Sequence, residues 1–134
     1  MKAITIRIDA EPVAHGRAGV YDPVKSRKWK ELVRTAAIDR ALESRWKISD
    51  APIRIRIAVY IAIPKSWNGA KRERAQQGLI LPTSRPDATN YAKGIEDALN
   101  GVVYKDDSQI VEIVVSKGYS TRPGVAIYAE EALA

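Results

Sequence analysis

The residues best suited to chemistry lie between positions 85 and 109. Asp87 stands just before a segment with helical apolar spacing, Lys93 lies within that segment, and Asp106 and Asp107 follow it. If the chain after the helix packs beside it, the acidic pair approaches Asp87. Mg²⁺ takes carboxylate oxygens plus water, and a bound Mg²⁺ polarises a phosphodiester and lowers the pKa of a bound water. This spacing would suit a metal site for phosphodiester hydrolysis.

Each of these residues also has a purely structural explanation. Asp87 can cap a helix, because a carboxylate there is favoured by unpaired amides and by the helix dipole. Asp106 and Asp107 can be turn residues, and Lys93 can be a solvated residue of a helix face. Spacing alone leaves the metal site and these structural roles open.

The composition narrows the classes of protein. The chain has 134 residues, of which 46% are hydrophobic and 28% charged, as in one soluble globular domain. With no cysteine and only His15, disulfides, thiol catalysis and thiolate or multi-histidine metal sites are excluded, so a metal would rest on oxygen ligands. No apolar run approaches the ~20 residues of a membrane helix, and the first residues do not resemble a signal peptide. We therefore expect a cytoplasmic protein without membrane contact.

The net charge of +6 is unevenly distributed. Residues 1–47 carry 11 basic and 6 acidic side chains, residues 48–86 carry 7 and 2, and residues 87–134 carry 4 and 8. The first two thirds can attract a polyanion, while carboxylates concentrate in the last third. A basic surface beside an acidic cluster suits a nuclease, although a solvated basic surface is the simpler alternative.

Apolar periodicity predicts the elements of the first half. Alternation over residues 3–8 predicts a strand, and Asp22 followed by Pro23 predicts a helix start, with the helix reaching about Arg45. Residues 53–63 predict the strongest strand, and residues 68–77 a short polar helix. The residues expected on the buried side of the long helix are Trp29, Leu32, Val33, Ala36, Ala37 and Ala41.

The second half predicts one helix and three short strands. The helix is expected over residues 90–100 and is terminated by Gly101, and the strands over residues 102–104, 109–115 and 125–129. The order of elements favours a single α/β (α+β) domain over residues 1–134, with helices packed on a mixed sheet.

Three separated motifs carry a resemblance to a known family. They read Pro86-Asp87-x-x-Asn90-x-x-Lys93, Asp97-Ala98-Leu99-Asn100-Gly101 and Tyr104-x-Asp106-Asp107-x-Gln109. In this order and at these distances they resemble the RusA family of Holliday junction resolvases, the crossover junction endodeoxyribonucleases common in prophages. The matching block extends from Arg85 to about Lys117, and a looser agreement covers most of the remaining chain.

The resemblance implies a metal-dependent, homodimeric endonuclease. Such an enzyme nicks two opposed strands of a four-way DNA junction in DNA recombination and repair, with Mg²⁺, or alternatively Mn²⁺, as cofactor. By position, the resemblance implies catalytic roles for Asp87, Lys93 and Asp107. It also implies metal ligation by Asp87 and Asp107, with Asp106 assisting.

One position departs from the family pattern. Thr89 stands where the family often has a second aspartate, and a neutral hydroxyl is a poorer ligand for Mg²⁺ than a carboxylate. Either Asp106 supplies the missing oxygen, or a water held by Thr89 does, or cleavage is impaired. Two other functions therefore stay open. One is a non-catalytic DNA- or junction-binding protein, and the other is an adaptor domain whose carboxylates are caps and turns.

DNA binding is expected to use the basic two thirds of the chain. In the long helix Arg27, Lys30 and Arg34 fall within an arc of about 60° at ~100° per residue. Such residues hold phosphates without reading sequence, although each is also explained by a solvated helix face. The full set of expected DNA-binding residues is Arg17, Lys25, Arg27, Lys30, Arg34, Lys71, Arg72 and Arg74.

Overall fold

Four strands and three α-helices make up most of residues 2–15 and 23–132, which are the residues that the computed structural model describes. In chain order the elements are β1 (Ala3–Ile8), α1 (Pro23–Ser44), β2 (Ile53–Ala62), α2 (Gly69–Gln76), α3 (Ala88–Leu99), a 3-10 helix (Asp107–Gln109), β3 (Ile110–Ser120) and β4 (Gly124–Glu131).

The strands form one mixed sheet in the order β1-β4-β2-β3. β4 is antiparallel to both β1 and β2, whereas β3 runs parallel to β2. The parallel pair requires a crossover connection, and this crossover contains α2 and α3. The sheet therefore brings β3 alongside the helix that the candidate site residues flank. The predicted α+β fold with a mixed sheet is confirmed.

The core lies between one face of the sheet and the helices α1 and α3. Along β2 the residues Ile53, Ile55 and Ile57 are buried, while Arg54 and Arg56 between them are exposed. This alternation places the apolar row of the strand toward the helices and the arginines on the opposite face. α1 packs against α3 and β1, and α3 packs against β2 and β3, so the two helices lie side by side on the sheet.

Most predicted elements are confirmed to within one or two residues. β1 has the expected bounds, and α3 begins at Ala88, two residues before its predicted start. Gly101 follows α3 with a φ of 80°, as a left-handed terminator requires. β3 continues to Ser120, beyond its predicted end, because its ladder with β2 persists along the whole of that strand.

Two predictions about the core and the strands are wrong. Leu32 is 43% exposed, because the buried stripe of α1 runs along Trp29, Val33 and Ala37 instead. Residues 102–104 form a turn with isolated bridges rather than a strand. The turn is nevertheless buried, since the Val103 carbonyl accepts hydrogen bonds from the segment between α1 and β2.

Some expectations fall outside the described residues. The expected helix start at Asp22 and the expected DNA-binding residue Arg17 lie there. None of the helices in the described ranges has the length and apolar character needed to cross a bilayer.

Candidate active site

Asp87 is the residue immediately before α3. Its backbone is extended, with φ −69° and ψ 151°, and its carbonyl accepts from Asn90 N at 3.0 Å. Its side chain makes no capping hydrogen bond to the helix amides. Asp87 therefore starts the helix through its backbone, and the side-chain cap that would explain it structurally is not formed.

Lys93 lies on an exposed face of α3, one turn after Thr89. Lys93 Nζ is 3.6 Å from Asp97 Oδ1, and Lys30 Nζ from α1 is 3.6 Å from the other oxygen of the same carboxylate. Residues spaced by three or four lie on one side of a helix, so Thr89, Lys93 and Glu96 share a face. α3 also contacts the 3-10 helix that follows it in the chain.

Asp106 and Asp107 form the start of that 3-10 helix. The Asp106 carboxylate accepts from Ser108 N at 3.0 Å and forms a capping box with Gln109. Hydrogen bonds from Ser108, first from its side chain and then from its backbone, lower the pKa of Asp106. Asp106 thus has a structural role, whereas Asp107 lies one residue further on, half-buried.

Gln109 fixes this turn to the body of the domain. Its Oε1 accepts from the backbone amides of Lys105 and Asp106 at 2.8 and 3.0 Å. Its Nε2 donates to the carbonyls of Ser49 and Ala51, both at 2.9 Å. Sequence analysis assigned Gln109 no role, although an aspartate followed three residues later by glutamine is the pattern of a capping box.

Glu96 lies within electrostatic range of both Lys93 and Asp107. Burial raises the pKa of Glu96, Lys93 lowers it, and Asp107 and then Asp97 raise it. Burial also raises the pKa of Tyr104, whose hydroxyl donates to the Glu96 carbonyl at 2.8 Å. The turn after α3 therefore returns to the helix, and the expected approach of the acidic pair to Asp87 stays a prediction.

The candidate ligands Asp87, Asp106 and Asp107 fit Mg²⁺ in chemical type, because they are carboxylates and Mg²⁺ prefers oxygen ligands. Among residues 2–15 and 23–132, however, no three acidic or histidine side chains come together as a metal-binding group. Asp87, Asp106 and Asp107 thus do not form a three-carboxylate cluster. One or two protein carboxylates with water and substrate phosphate suffice for Mg²⁺, so the ligand roles of these residues remain predictions.

The structure adds a contact at Asp87 that the sequence analysis missed. Lys117 of β3 donates from Nζ to the carbonyls of Ser84 and Pro86, the loop that leads into Asp87, at 3.0 and 3.1 Å. These partners lie 33 and 31 residues before Lys117. No local pattern signals a contact at such separations.

Several predicted DNA-binding residues have structural contacts. Arg34 Nη1 donates to the Asn100 carbonyl at 2.6 Å, at the C-terminal end of α3. Arg72 Nη1 donates to the Pro64 carbonyl, and Lys71 Nζ lies 4.1 Å from the ring centroid of Trp67. These residues hold elements together, which the sequence analysis did not foresee.

The other predicted DNA-binding residues are on the surface or lie outside the described residues. Arg27 on α1 and Arg74 on α2 are exposed, and so is Lys25. Within the described ranges, neither Arg27 nor Arg74 has an ion-pair or hydrogen-bond partner for its side chain. Arg17 lies outside the described residues.

Comparison with known proteins supplies the family. Residues 10–130 match the family model described as endodeoxyribonuclease RusA. The chain belongs to the RusA family. It is also 39% identical over 142 aligned residues to the uncharacterized protein YqaN of Bacillus subtilis (strain 168), and the alignment covers 98% of each chain. The resemblance inferred from the three motifs is confirmed, and RusA membership supports a nuclease.

Proposed function

We propose that this RusA-family protein is a metal-dependent endonuclease that resolves four-way DNA junctions by paired symmetric nicks, in DNA recombination and repair. The observation that carries the proposal is the match of residues 10–130 to the RusA endodeoxyribonuclease family model, and the contact of the 3-10 helix that begins at Asp107 with α3, which carries Lys93, supports it. An acidic residue and a cationic residue thereby come from two elements that contact each other. The Asp107 carboxylate can hold a divalent cation beside a phosphate, and the Lys93 ammonium can neutralise the charge of that phosphate.

The proposed roles follow from the chemistry of each group. Asp87 and Asp107 would hold Mg²⁺, or Mn²⁺ in its place, and Asp106 would assist from its position in the cap. The ion would supply Lewis-acid polarisation of the phosphodiester. Lys93 stabilises the charge that develops on the scissile phosphate. Asp97, which is bound by both Lys93 and Lys30, orients the Lys93 side chain.

The decisive experiment is a junction-nicking assay on the wild type, Asp87→Asn and Asp107→Asn. With Mg²⁺ we expect the wild type to nick two opposed strands, and each variant to lose about 100-fold or more of the rate. Gel-shift affinity for the junction should stay close to wild type, because both substitutions leave the basic surface intact. Unchanged nicking by both variants would refute these roles, and EDTA should abolish wild-type nicking.

A second function is favoured by one specific observation. Thr89 replaces the family's second aspartate, and the described residues contain no three-carboxylate group. A protein that binds the junction without cutting it would have these features. Junction binding without any nick in Mg²⁺ or Mn²⁺ would support this function, whereas failure to bind DNA at all would support an adaptor domain.

Homodimerisation is part of the same proposal, because two opposed strands need two sites and a two-fold axis presents them symmetrically. β3 is an edge strand, and Val111 and Val114 on it are 62% and 50% exposed. Edge strands present unpaired backbone groups that can pair with a second copy. We expect light scattering to give a two-chain mass for the wild type and a lower mass for Val114→Lys. A single-chain wild type at all concentrations would contradict this.

A further inference from the structure

Lys117 joins the edge strand β3 to the loop before α3. Its side chain extends from the face of the sheet that the helices cover, since Lys117 pairs in register with the buried Val59 of β2. The ammonium reaches two carbonyls of the loop, those of Ser84 and Pro86. Two carbonyl oxygens two residues apart thus converge on one cation.

The second of these carbonyls belongs to the peptide unit that carries the amide of Asp87. Because a peptide unit is planar, holding the Pro86 oxygen sets the orientation of the chain as it enters Asp87. Asp87 is also the residue immediately before α3, so its backbone is restrained from the other side by the helix. The ammonium thus restrains the chain before Asp87, and the helix restrains the chain after it.

Lys117 differs from the other lysines around the site in its partners. Lys30, Lys93 and Lys105 each lie within ion-pair distance of an aspartate. In the part of the chain that the structure describes, Lys117 has no carboxylate partner and bonds only to main-chain carbonyls. A charged donor makes stronger hydrogen bonds than a neutral one. The Lys117 ammonium makes its hydrogen bonds to the carbonyls of the loop before α3 and to no acidic side chain among the described residues.

We propose that Lys117 is a positioning residue. It holds the Ser84–Pro86 loop so that the carboxylate of Asp87 meets the metal ion and the phosphodiester in one orientation. This inference rests on the proposed function and extends it to a residue of β3. A role limited to stability predicts a different outcome, because it would lower the melting temperature without a selective loss of metal affinity or turnover.

The test compares Lys117→Met, Lys117→Gln and Lys117→Arg with the wild type. The matched control is Lys2→Met, because Lys2 Nζ also donates to a main-chain carbonyl, that of Lys47 at 3.1 Å. Four quantities are measured: the single-turnover nicking rate, the Kd for junction DNA, the Kd for Mn²⁺ by electron paramagnetic resonance, and amide hydrogen exchange over residues 83–90. Melting temperatures identify any variant that fails to fold.

We expect Lys117→Met to nick about 10- to 100-fold more slowly and to bind Mn²⁺ more weakly by a similar factor. Junction affinity should change little, and exchange over residues 83–90 should accelerate. Lys117→Gln retains a neutral donor and should be intermediate, while Lys117→Arg, whose guanidinium can reach both carbonyls, should restore most of the rate. Lys2→Met should leave the exchange of residues 83–90 unchanged.

The outcomes separate this inference from the proposed function. If the wild type nicks and Lys117→Met nicks equally fast, the positioning role is overturned and the endonuclease stands. If the wild type does not nick, the proposed endonuclease function is wrong. Unchanged amide exchange over residues 83–90 in Lys117→Met would overturn the positioning role. A loss that follows the melting temperature, and that Lys117→Arg does not restore, would show a structural role only.

Discussion

Asp106 and Asp107 are adjacent residues of the same type whose surroundings give them different roles. Asp106 precedes the 3-10 helix, so its carboxylate is directed at the unpaired amide of Ser108. Asp107 is the first residue inside that helix, and its charge acts on Glu96 of α3. One step along the chain therefore separates a capping residue from the candidate metal ligand.

Glu96 is expected to destabilise the folded protein when it ionises. Its folded-state pKa is raised, above all by burial, so the folded state binds this proton more tightly than the unfolded state does. The loss of folding free energy from ionising Glu96 is absent below the unfolded-state pKa. It grows as the pH rises toward the folded-state pKa and is complete above that value. We expect Glu96→Gln to raise the free energy of unfolding at pH 7, with the gain vanishing below about pH 4.

Urea denaturation at both pH values, with EDTA present, measures this difference. Glu31→Gln, on the exposed surface of α1, controls for the removal of one carboxylate from a helix. An equal gain for Glu96→Gln at both pH values would contradict the electrostatic cause.

At the scale of elements, α3 is held at both ends by long-range contacts. At its start Lys117 of β3 holds the preceding loop, and at its end Arg34 of α1 donates to the Ala98 and Asn100 carbonyls. Such carbonyls have no partner within the helix, and a cation is favoured beside them. The placement of α3, and of the residues on it, therefore depends on side chains from elements distant in sequence.

The turn that carries Asp107 depends in the same way on Gln109. Gln109→Ala removes four hydrogen bonds, two within the turn and two to the segment before β2. At about 0.5–1.5 kcal/mol for each bond, with some replaced by water, we expect a loss of about 2–3 kcal/mol in the free energy of unfolding. Nicking should fall as well, because Asp107 loses its fixed position.

Chemical denaturation measures the loss, and Gln76→Ala on the exposed surface of α2 is the control, for which we expect a change within about 0.5 kcal/mol. A loss for Gln109→Ala no larger than the control's would show that water replaces these bonds fully.

At the scale of the whole molecule, the positive charge is partly used for structure. Lys30 and Arg34 tie α1 to α3, and Arg72 binds the Pro64 carbonyl beside α2. Arg27 and Arg74 are exposed without such partners among the described residues. We therefore expect the last two to contribute most clearly to phosphate contacts.

This expectation is tested by the salt dependence of junction binding. Each phosphate contact contributes about −0.9 to the slope of log K against log salt concentration. Arg27→Gln and Arg74→Gln should each reduce the magnitude of the slope by about 1. Arg40→Gln serves as a control, because Arg40 Nη1 is 3.4 Å from Glu43 Oε2 on the same helix and so already has an acidic partner. Slopes equal to that of the wild type would exclude both arginines from the DNA interface.

Local patterns predicted the elements because burial of one face imposes a period on the sequence. The alternation of Ile4, Ile6 and Ile8 and the glycine at position 101 were sufficient for β1 and for the end of α3. The same reasoning failed at residues 102–104, because β-branched residues can be buried in a turn as well as in a strand. The motifs identified the family, and with it the candidate residues Asp87, Lys93 and Asp107.

The amino-acid order thus contained the fold class, the family and the identity of the acidic groups, since these depend on residue type and short spacing. It did not contain the contacts of Lys117 with Pro86 or of Gln109 with Ser49, which join residues 31 and 60 positions apart. Nor did it show that Arg34 caps α3. These contacts form only when the sheet and helices pack, because packing sets the distance between segments that the chain itself leaves remote.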